Sequence, residues 1–473
     1  MENIETRKKT YVADIERGVY DIKDEMKHKY STGKGLTEET IRKISANKNE
    51  PEWMLNYRLR SLEIYNSKPM PTWGADLSDL DMDDIIYYLE PDAQRMSDNW
   101  DDVPEYIKNS FERLGIPQAE KTSLSGVGAQ YDSEVVYHSV NKELEALGVI
   151  NTDIETALRH HEDLVKEYFM KLIRPEDHKF AALHGAVWSG GTFVYVPKGV
   201  KVPMPIQSYF RLNAAEAGQF EHTIIIVEEG ADLHFIEGCS APKYQKNALH
   251  AGAVELFVKE GAKLRYSTIE NWSRNMYNLN TKRAVVDARG TIEWVSGSFG
   301  SRATMLYPMS ILRGEGAVSD FVGVTFASSG QYLDTGSKVI HAAPNTISNV
   351  HSKSISKNGG TAMYRGLLKA TKNAHGSKSS VNCESLMLDN ISKSDTIPII
   401  TVNTDDIDIG HEAKIGRISD DAIFYLMSRG ISEMEAKAMI IKGFVEPISK
   451  ELPLEYAVEL NNLIRIELEG TVG

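Results

Sequence analysis

The chain has 473 residues, 41% of them hydrophobic, and a formal net charge of -14. That length exceeds one ordinary domain and can bury a sizeable core, so two or three domains are expected. The acidic balance, with no concentrated basic stripe, argues against a nucleic-acid partner, because phosphate binding needs clustered Lys and Arg.

The N-terminal stretch "MENIETRKKTYVADIERG" lacks the apolar core of a secretory signal, and no segment approaches the roughly 18 apolar residues of a membrane span. The expectation is therefore a cytoplasmic protein with no membrane partner. Residues 1–182 read as an N-terminal helical region with acidic connectors. In it, Thr37 is a plausible N-cap, and "EPEWMLNYRLRSLEIY" spaces Trp53, Met54, Tyr57, Leu62 and Tyr65 helically behind Pro51. "ADLSDLDMDDIIYYLEPD" reads as an acidic, solvated loop leading into a short helix. "TDIETALRHHEDLVKEYFMKLI" reads as one amphipathic helix, with His160 and His161 at its surface.

Near Trp188 the period changes. Residues 183–415 form a succession of short β-branched and aromatic runs, among them "TFVYV", "HTIIIVE", "DLHFIE", "AVELFVK" and "TIEWVS", punctuated by Gly, Asn, Asp and Ser. "EEGADLHFIEG" and "KEGAKLRYSTIEN" align at a spacing of 31, and Gly290 follows Gly261 by 29. Units too small to bury their own face suggest a stacked solenoid of β-coils, with a β-sandwich as the competing fold. Residues 416–473 return to helical signals: Ser419 as N-cap with Gly430 past the helix end, then a Ser432/Glu435 capping box with Gly443 as terminator, then "LPLEYAVELNNLIRIELEG". These helices form either a self-contained bundle, the reading favoured by pattern alone, or a docking surface.

The chemistry-bearing residues are few. Cys239 and Cys383 lie 144 residues apart with no CxxC pair, which excludes a disulfide framework or an all-cysteine metal cage built from one chain. His411 and Glu412 begin 28 residues after Cys383, about one coil length, so a thiolate, an imidazole and a carboxylate could meet on neighbouring coils as an iron or zinc site. On a strand, only one of that adjacent pair can face Cys383. The bland alternative is that Cys383 is a small buried hydrophobe. Cys239, before Pro242, reads on spacing alone as structural. "GVGAQYDSEVVYH" lacks the glycines and GK[ST] of a phosphate loop, and neither an HExxH nor a GxSxG signature is present. The fold also hosts lyases and acyltransferases, so a β-helix enzyme is the alternative of a different class.

Many separated stretches, including "SGGTFVYVPKGV", "IEGCSAP", "STIENW", "DTGSKVIH", "YRGLLK", "NCESLML" and "GHEAKIGRISDDAIFYLMSRGIS", resemble the SufB/SufD family of scaffold subunits in Suf iron-sulfur cluster assembly. The resemblance runs from about residue 35 to the C-terminus. Possession of the "NCESLML" cysteine and the following His-Glu pair places it on the SufB side. It implies a mainly β chain: a right-handed parallel β-helix core flanked by N-terminal and C-terminal α-helical domains. It further implies a scaffold rather than an enzyme, with ATPase activity residing in a SufC-type ABC ATPase docked on the C-terminal helices. The other implied partners are a SufD-like subunit or a second copy of the chain, a cysteine desulfurase system as sulfur donor, and apo iron-sulfur proteins as recipients. The implied cofactors are a transient 4Fe-4S or 2Fe-2S cluster and, as a further possibility, reduced FAD.

By the same resemblance, Cys383 is the thiol at which a cluster is assembled, with Glu412 as a metal ligand and His411 beside it, at a subunit interface. Cys239 matches the acceptor of persulfide sulfur. Arg211, Asn213, Glu270, Trp272 and Lys282 match a proposed sulfur route between the two thiols. Two positions depart from the pattern: Glu270 stands where better-known members carry glutamine, and Gly410 where some carry glutamate. One cysteine with nitrogen and oxygen ligands would hold a cluster weakly enough to release it, unlike the four thiolates of a stable site.

Overall fold

In a computed structural model of the chain, residues 27–113, 124–214, 216–242, 247–450 and 463–464 are described. They are mostly β, built around a parallel solenoid of about eight turns with helices at both ends. One long sheet stacks Ile206–Arg211, Asp232–Ser240, Lys263–Trp272, Thr291–Gly300, Val318–Ala327, Ile347–Ser356, Ser377–Met387 and Ile407–Arg417, each parallel to the next. A second sheet closes the coil through Thr192–Val196, His222–Val227, Ala253–Val258, Thr281–Val286, Met309–Leu312, Lys338–His341 and Thr361–Ala370. The register advances by one coil at a time (Asp232 beside Lys263, Lys263 beside Thr291), which a sandwich of antiparallel strands cannot produce.

The turns explain why the coils stack. Gly199, Gly230, Gly261, Arg289, Gly316, Asn345 and Gly376 all have positive φ, between 54° and 74°. Each donates its N–H to a carbonyl of the following coil, as Gly230 does to Glu260 and Arg289 to Glu315, both at 2.9 Å. The third member of the repeat is thus Arg289 rather than Gly290; hydrogen bonding to the next coil holds a non-glycine residue in a conformation that ordinarily costs about 1–2 kcal/mol.

Three other expectations change. "TDIETALRHHEDLVKEYFMKLI" breaks at His161 (φ -134°, ψ 42°) into Ile154–His160 and Glu162–Tyr168, because Phe169, Met170 and Ile173 turn inward to pack under the second sheet. The acidic stretch ends in a short strand, Leu89–Pro91, paired with His28–Ser31, with Tyr87 and Tyr88 fully buried. Gly443 terminates nothing: helix Glu433–Ser449 runs through it. A glycine costs about 1 kcal/mol there, and burial of Ile441 and Val445 against Phe299, Val324 and Phe326 outweighs it. This helix therefore lies on the outer face of the long sheet rather than in a separate bundle. The final segment read as a helix falls outside the described residues except for Leu463 and Ile464.

The N-terminal region supplies more than helices. "GVGAQYDSEVVYH" is a hairpin, Gly126–Tyr131 and Glu134–Val140, whose first strand pairs in parallel with Ile206–Arg211 and extends the long sheet. Helices Glu38–Lys48, Glu52–Ser67 and Lys179–Val187 cover the early coils through Ile41, Ile44, Leu62, Leu183 and Tyr277; the last of them spans residue 182. Among the described residues no helix is long and apolar enough to cross a membrane.

Candidate functional site

Strand parity places both thiols inside the coil. Lys282, on the second sheet, reaches across to Glu237 on the long sheet (Nζ to Oε1, 2.8 Å), so Glu237 and, two residues on, Cys239 face the interior. The register then defines two inward columns. One runs Glu237, Thr268, Ser296, Gly323, Ser352, Cys383; its neighbour runs Cys239, Glu270, Ser298, Thr325, Ser354, Ser385. Apart from the charged start and the thiols, every side chain in them is a hydroxyl or a hydrogen. The other end of the same inner face is apolar, with Leu233, Phe235, Leu264, Tyr266, Ile292 and Trp294. The interior is thus split lengthwise into an oily half and a hydroxyl-lined lane. Five coil steps separate Glu237 from Cys383, about 24 Å at the spacing of neighbouring strands.

The Cys239 end is a closed, charged chamber. Lys282 Nζ also lies 3.4 Å from Glu270 Oε1, and Asn278 donates to the other Glu270 oxygen at 2.7 Å. Tyr266 donates to Glu237 through a short hydrogen bond. His250 pairs with Glu221 at 2.5 Å, and its ring lies 4.4 Å from that of Trp272. Burial holds the Cys239 thiol well above its ordinary pKa; the carboxylates of Glu237, Glu221 and Glu270 push the same way, against Lys282. Cys239 is 1% exposed and sits among Phe210, Trp272 and Met276. Arg211 stands beside Ser240 on the opposite face of the strand from Cys239 and donates to Ser240 Oγ at 3.0 Å. Asn213 is fixed next to it by its backbone N–H to Asp132, 2.7 Å.

The Cys383 end is different. Cys383 lies between Ser352 and Ala413, one coil from the end of the solenoid. Burial raises its thiol to about 12, opposed by a hydrogen bond with Tyr364, whose hydroxyl also meets Ser337 at 3.0 Å. His411 stands beside Val381, on the same inward face as Cys383, and lines a recess with Tyr364, Val381, Pro398 and Ile400. Its Nε2 is buried with no hydrogen-bond partner among the described residues. Glu412 faces the other way, 59% exposed and ion-paired with Lys414 at 3.0 Å. This chain by itself thus brings His411 onto the Cys383 face and leaves Glu412 on the outer one. Among the described residues no three His, Cys, Asp or Glu side chains converge as a metal site. The last coil is uncovered: Ile399, Ile400, Val402 and Ile415 are each more than 40% exposed.

Sequence reasoning missed Glu237, Tyr266, His250, Glu221 and Tyr364. The signal for Glu237 was present two residues before Cys239, readable only once the strand's inward face is known.

Two family models cover most of the chain: the SufBD core domain of the SUF iron-sulfur cluster assembly system over residues 210–444, and the SufBD protein N-terminal region over 95–208. The iron-sulfur cluster assembly protein SufB of Bacillus subtilis is 51% identical over 460 residues, covering 97% of this chain and 99% of that protein. A SufBD family protein of Staphylococcus aureus is 52% identical over 454 residues (96% and 97%), and one of Staphylococcus saprophyticus 52% over 460 residues (97% and 99%). The chain belongs to the SufB/SufD family. Its role is in iron-sulfur cluster assembly, alongside other components of the Suf system.

Proposed function

We propose that this SufB-type chain is the scaffold on which a cluster is built de novo, with Cys239 receiving sulfur and Cys383 holding the growing cluster as cargo. The observation that carries this reading is the placement of the chain's two thiols on one inward face, five coil steps apart along columns of hydroxyl-bearing residues and glycine. In the first step the Cys239 thiolate attacks the outer sulfur of a donor persulfide, forming a new S–S bond and releasing the donor thiolate. Delivered sulfur needs two electrons to become sulfide, and a reductant such as reduced FAD would supply them. Trp272 and Lys282 stand at the Cys239 end of the lane, with Arg211 on the opposite face of its strand and Asn213 two residues beyond it; Lys282, shared between Glu237 and Glu270, offsets part of the charge that Glu270 adds to an anionic sulfur route.

At the far end, Cys383 and His411 offer one sulfur and one nitrogen, a set that suits iron and is too small to retain a cluster. Completion comes from Glu412 and a facing subunit, a SufD-like chain or a second copy, seated on the uncovered last coil. Burial disfavours the thiolate at both sites in this closed form, and nucleophile and ligand are the thiolate, so opening the scaffold favours both steps. We infer that a SufC-type ABC ATPase on the C-terminal helices, where Phe424, Tyr425, Met434 and Met439 are exposed, drives that opening. The segments 1–182, 183–415 and 416–473 then serve as cover, lane and docking unit. Apo-proteins take the product, of 4Fe-4S or 2Fe-2S type.

The test is anaerobic co-expression with the ATPase, supplied with iron, a sulfur source and reductant, followed by visible and Mössbauer spectra of wild type and Cys383→Ala. Loss of the cluster in a variant that still binds the ATPase supports the reading. Equal cluster in both returns Cys383 to packing.

A further inference from the structure

A cavity of about 630 Å3 lies away from both thiols, between the outer face of the second sheet and the N-terminal region. Its floor is a column of the solenoid: Arg283, Met309 and Lys338 stand side by side on consecutive coils. One wall is the turn Lys68–Trp73 and another the start of helix Lys179–Val187.

Charge in this cavity runs against the rest of the molecule. Lys68, Lys179, Arg283 and Lys338 line it, against one carboxylate, Asp177. Asp177 is already engaged by Arg283. Lys179 donates to the carbonyls of Tyr65 (2.9 Å) and Lys68 (2.7 Å), which take two of its three hydrogens and leave its charge uncancelled. Lys338 lies 4.8 Å from the centre of the Tyr307 ring, and neither it nor Lys68 meets a carboxylate within 4 Å among the described residues. Burial draws the Lys338 ammonium below its usual pKa, aided by Arg283 and Arg365. His178 adds no charge: burial and the neighbouring cations hold it to about 4, and its Nδ1 accepts from the Ala181 N–H. Gathering like charges around a partly desolvated space in a chain of net charge -14 is unfavourable unless an anion fills it.

Beside Thr72, Asn280 and Thr281 the lining includes Met70, Met305 and Phe180, with Tyr307 and Trp73, rings 5.8 Å apart. Trp73 is 48% exposed, with the Arg365 guanidinium 5.1 Å from the centre of its ring. The volume is that of a pocket for a small organic molecule.

We propose that this cavity binds a small organic phosphate carrying a ring system, its phosphate oxygens on Lys338, Lys68 and Lys179 and its ring against Trp73 and Tyr307. Nothing in this inference depends on the roles of the cysteines, and it is tested without iron or the ATPase. The full-length chain is titrated by calorimetry with ADP, adenosine and pyrophosphate as probes, beside Lys338→Met and Trp73→Ala. ADP is expected to bind at one site per chain, with adenosine and pyrophosphate each at least tenfold weaker. Each variant is expected to lose tenfold or more for ADP while its unliganded melting stays near wild type; Trp73→Ala, at the exposed rim, guards against a folding defect in the other. Equal affinity for pyrophosphate would overturn the ring contact, and equal affinity for adenosine the phosphate contact. Absence of ADP binding at millimolar concentration, or binding unaffected by either variant, would overturn the site.

Discussion

Cys239 and Cys383 share one sheet, one face and nearly one strand position, yet they occupy opposite kinds of space. Cys239 lies where helices and a hairpin seal the coils, and its neighbours are charged groups, two cations against three carboxylates: Lys282 with Glu237 and Glu270, His250 with Glu221. Cys383 lies where the cover has ended, and its neighbours are a tyrosine, serines and an unpartnered imidazole. A sealed chamber of ion-paired groups suits the handling of one reactive sulfur, whereas an open end with unsatisfied donors suits a product that must leave. The solenoid allows this contrast because each coil repeats the same inward positions, so a thiol can be placed at any distance along one continuous lane.

The largest expected effect separates the two thiols by function. Cys383→Ala abolishes cluster formation with any sulfur source, while Cys239→Ala abolishes it with a desulfurase and keeps it with inorganic sulfide, read by absorption and Mössbauer spectra. Next in size is the chamber itself. Lys282→Met leaves Glu237 and Glu270 buried without a counter-charge and costs about 3–5 kcal/mol in urea denaturation; the change Ser352→Ala at the other end costs little, since no charge is uncovered.

The lane between them is broken by bulk. Ser296→Leu overfills the column beside Gly323 and Thr268, costs about 1–3 kcal/mol, and stops cluster formation while persulfide still forms on Cys239. An effect smaller for each residue is carried by pH. His178, His234 and His341 are held to about 4, and His222 to about 3, chiefly by burial. The unfolded chain binds more protons there below pH 6.5, so their stabilisation is complete above that value and lost as pH falls toward 4, at up to about 1.4 kcal/mol per unit for each histidine. Urea midpoints should fall between pH 7 and 5, and His341→Gln should reduce the fall. The smallest effect is at a turn: Arg289→Gly relieves a left-handed conformation and raises stability by at most about 1 kcal/mol in the same denaturation assay.

These elements also show where a sequence speaks. The 31-residue echo of Gly230 in Gly261 was enough to suggest coils, because left-handed turns demand glycine; it failed at Arg289, where hydrogen bonding to the next coil replaces that demand. The caps at Thr37, Ser419 and the Ser432/Glu435 box were legible because they are local, and all three make their expected bonds. The hairpin at 126–140 was hidden because its partner strand, Ile206–Arg211, lies far along the chain. For the site, one-coil spacing and strand alternation narrowed the pair after Cys383 to one inward residue, and the register selects His411. The chamber around Cys239 could not be read at all: Glu237, His250 and Lys282 come from three strands and Glu221 from the residue just before a fourth, and they meet only through the coil.

The most direct test of the lane is to map persulfide by mass spectrometry after turnover with a desulfurase, iron and the ATPase, in wild type, Cys383→Ala and Ser296→Leu. Persulfide accumulating on Cys239 in both variants, with no cluster in either, is the expected result. Cluster formation at the wild-type rate in Ser296→Leu, or persulfide reaching Cys383 in a Cys239→Ala chain supplied by the same desulfurase, would contradict it.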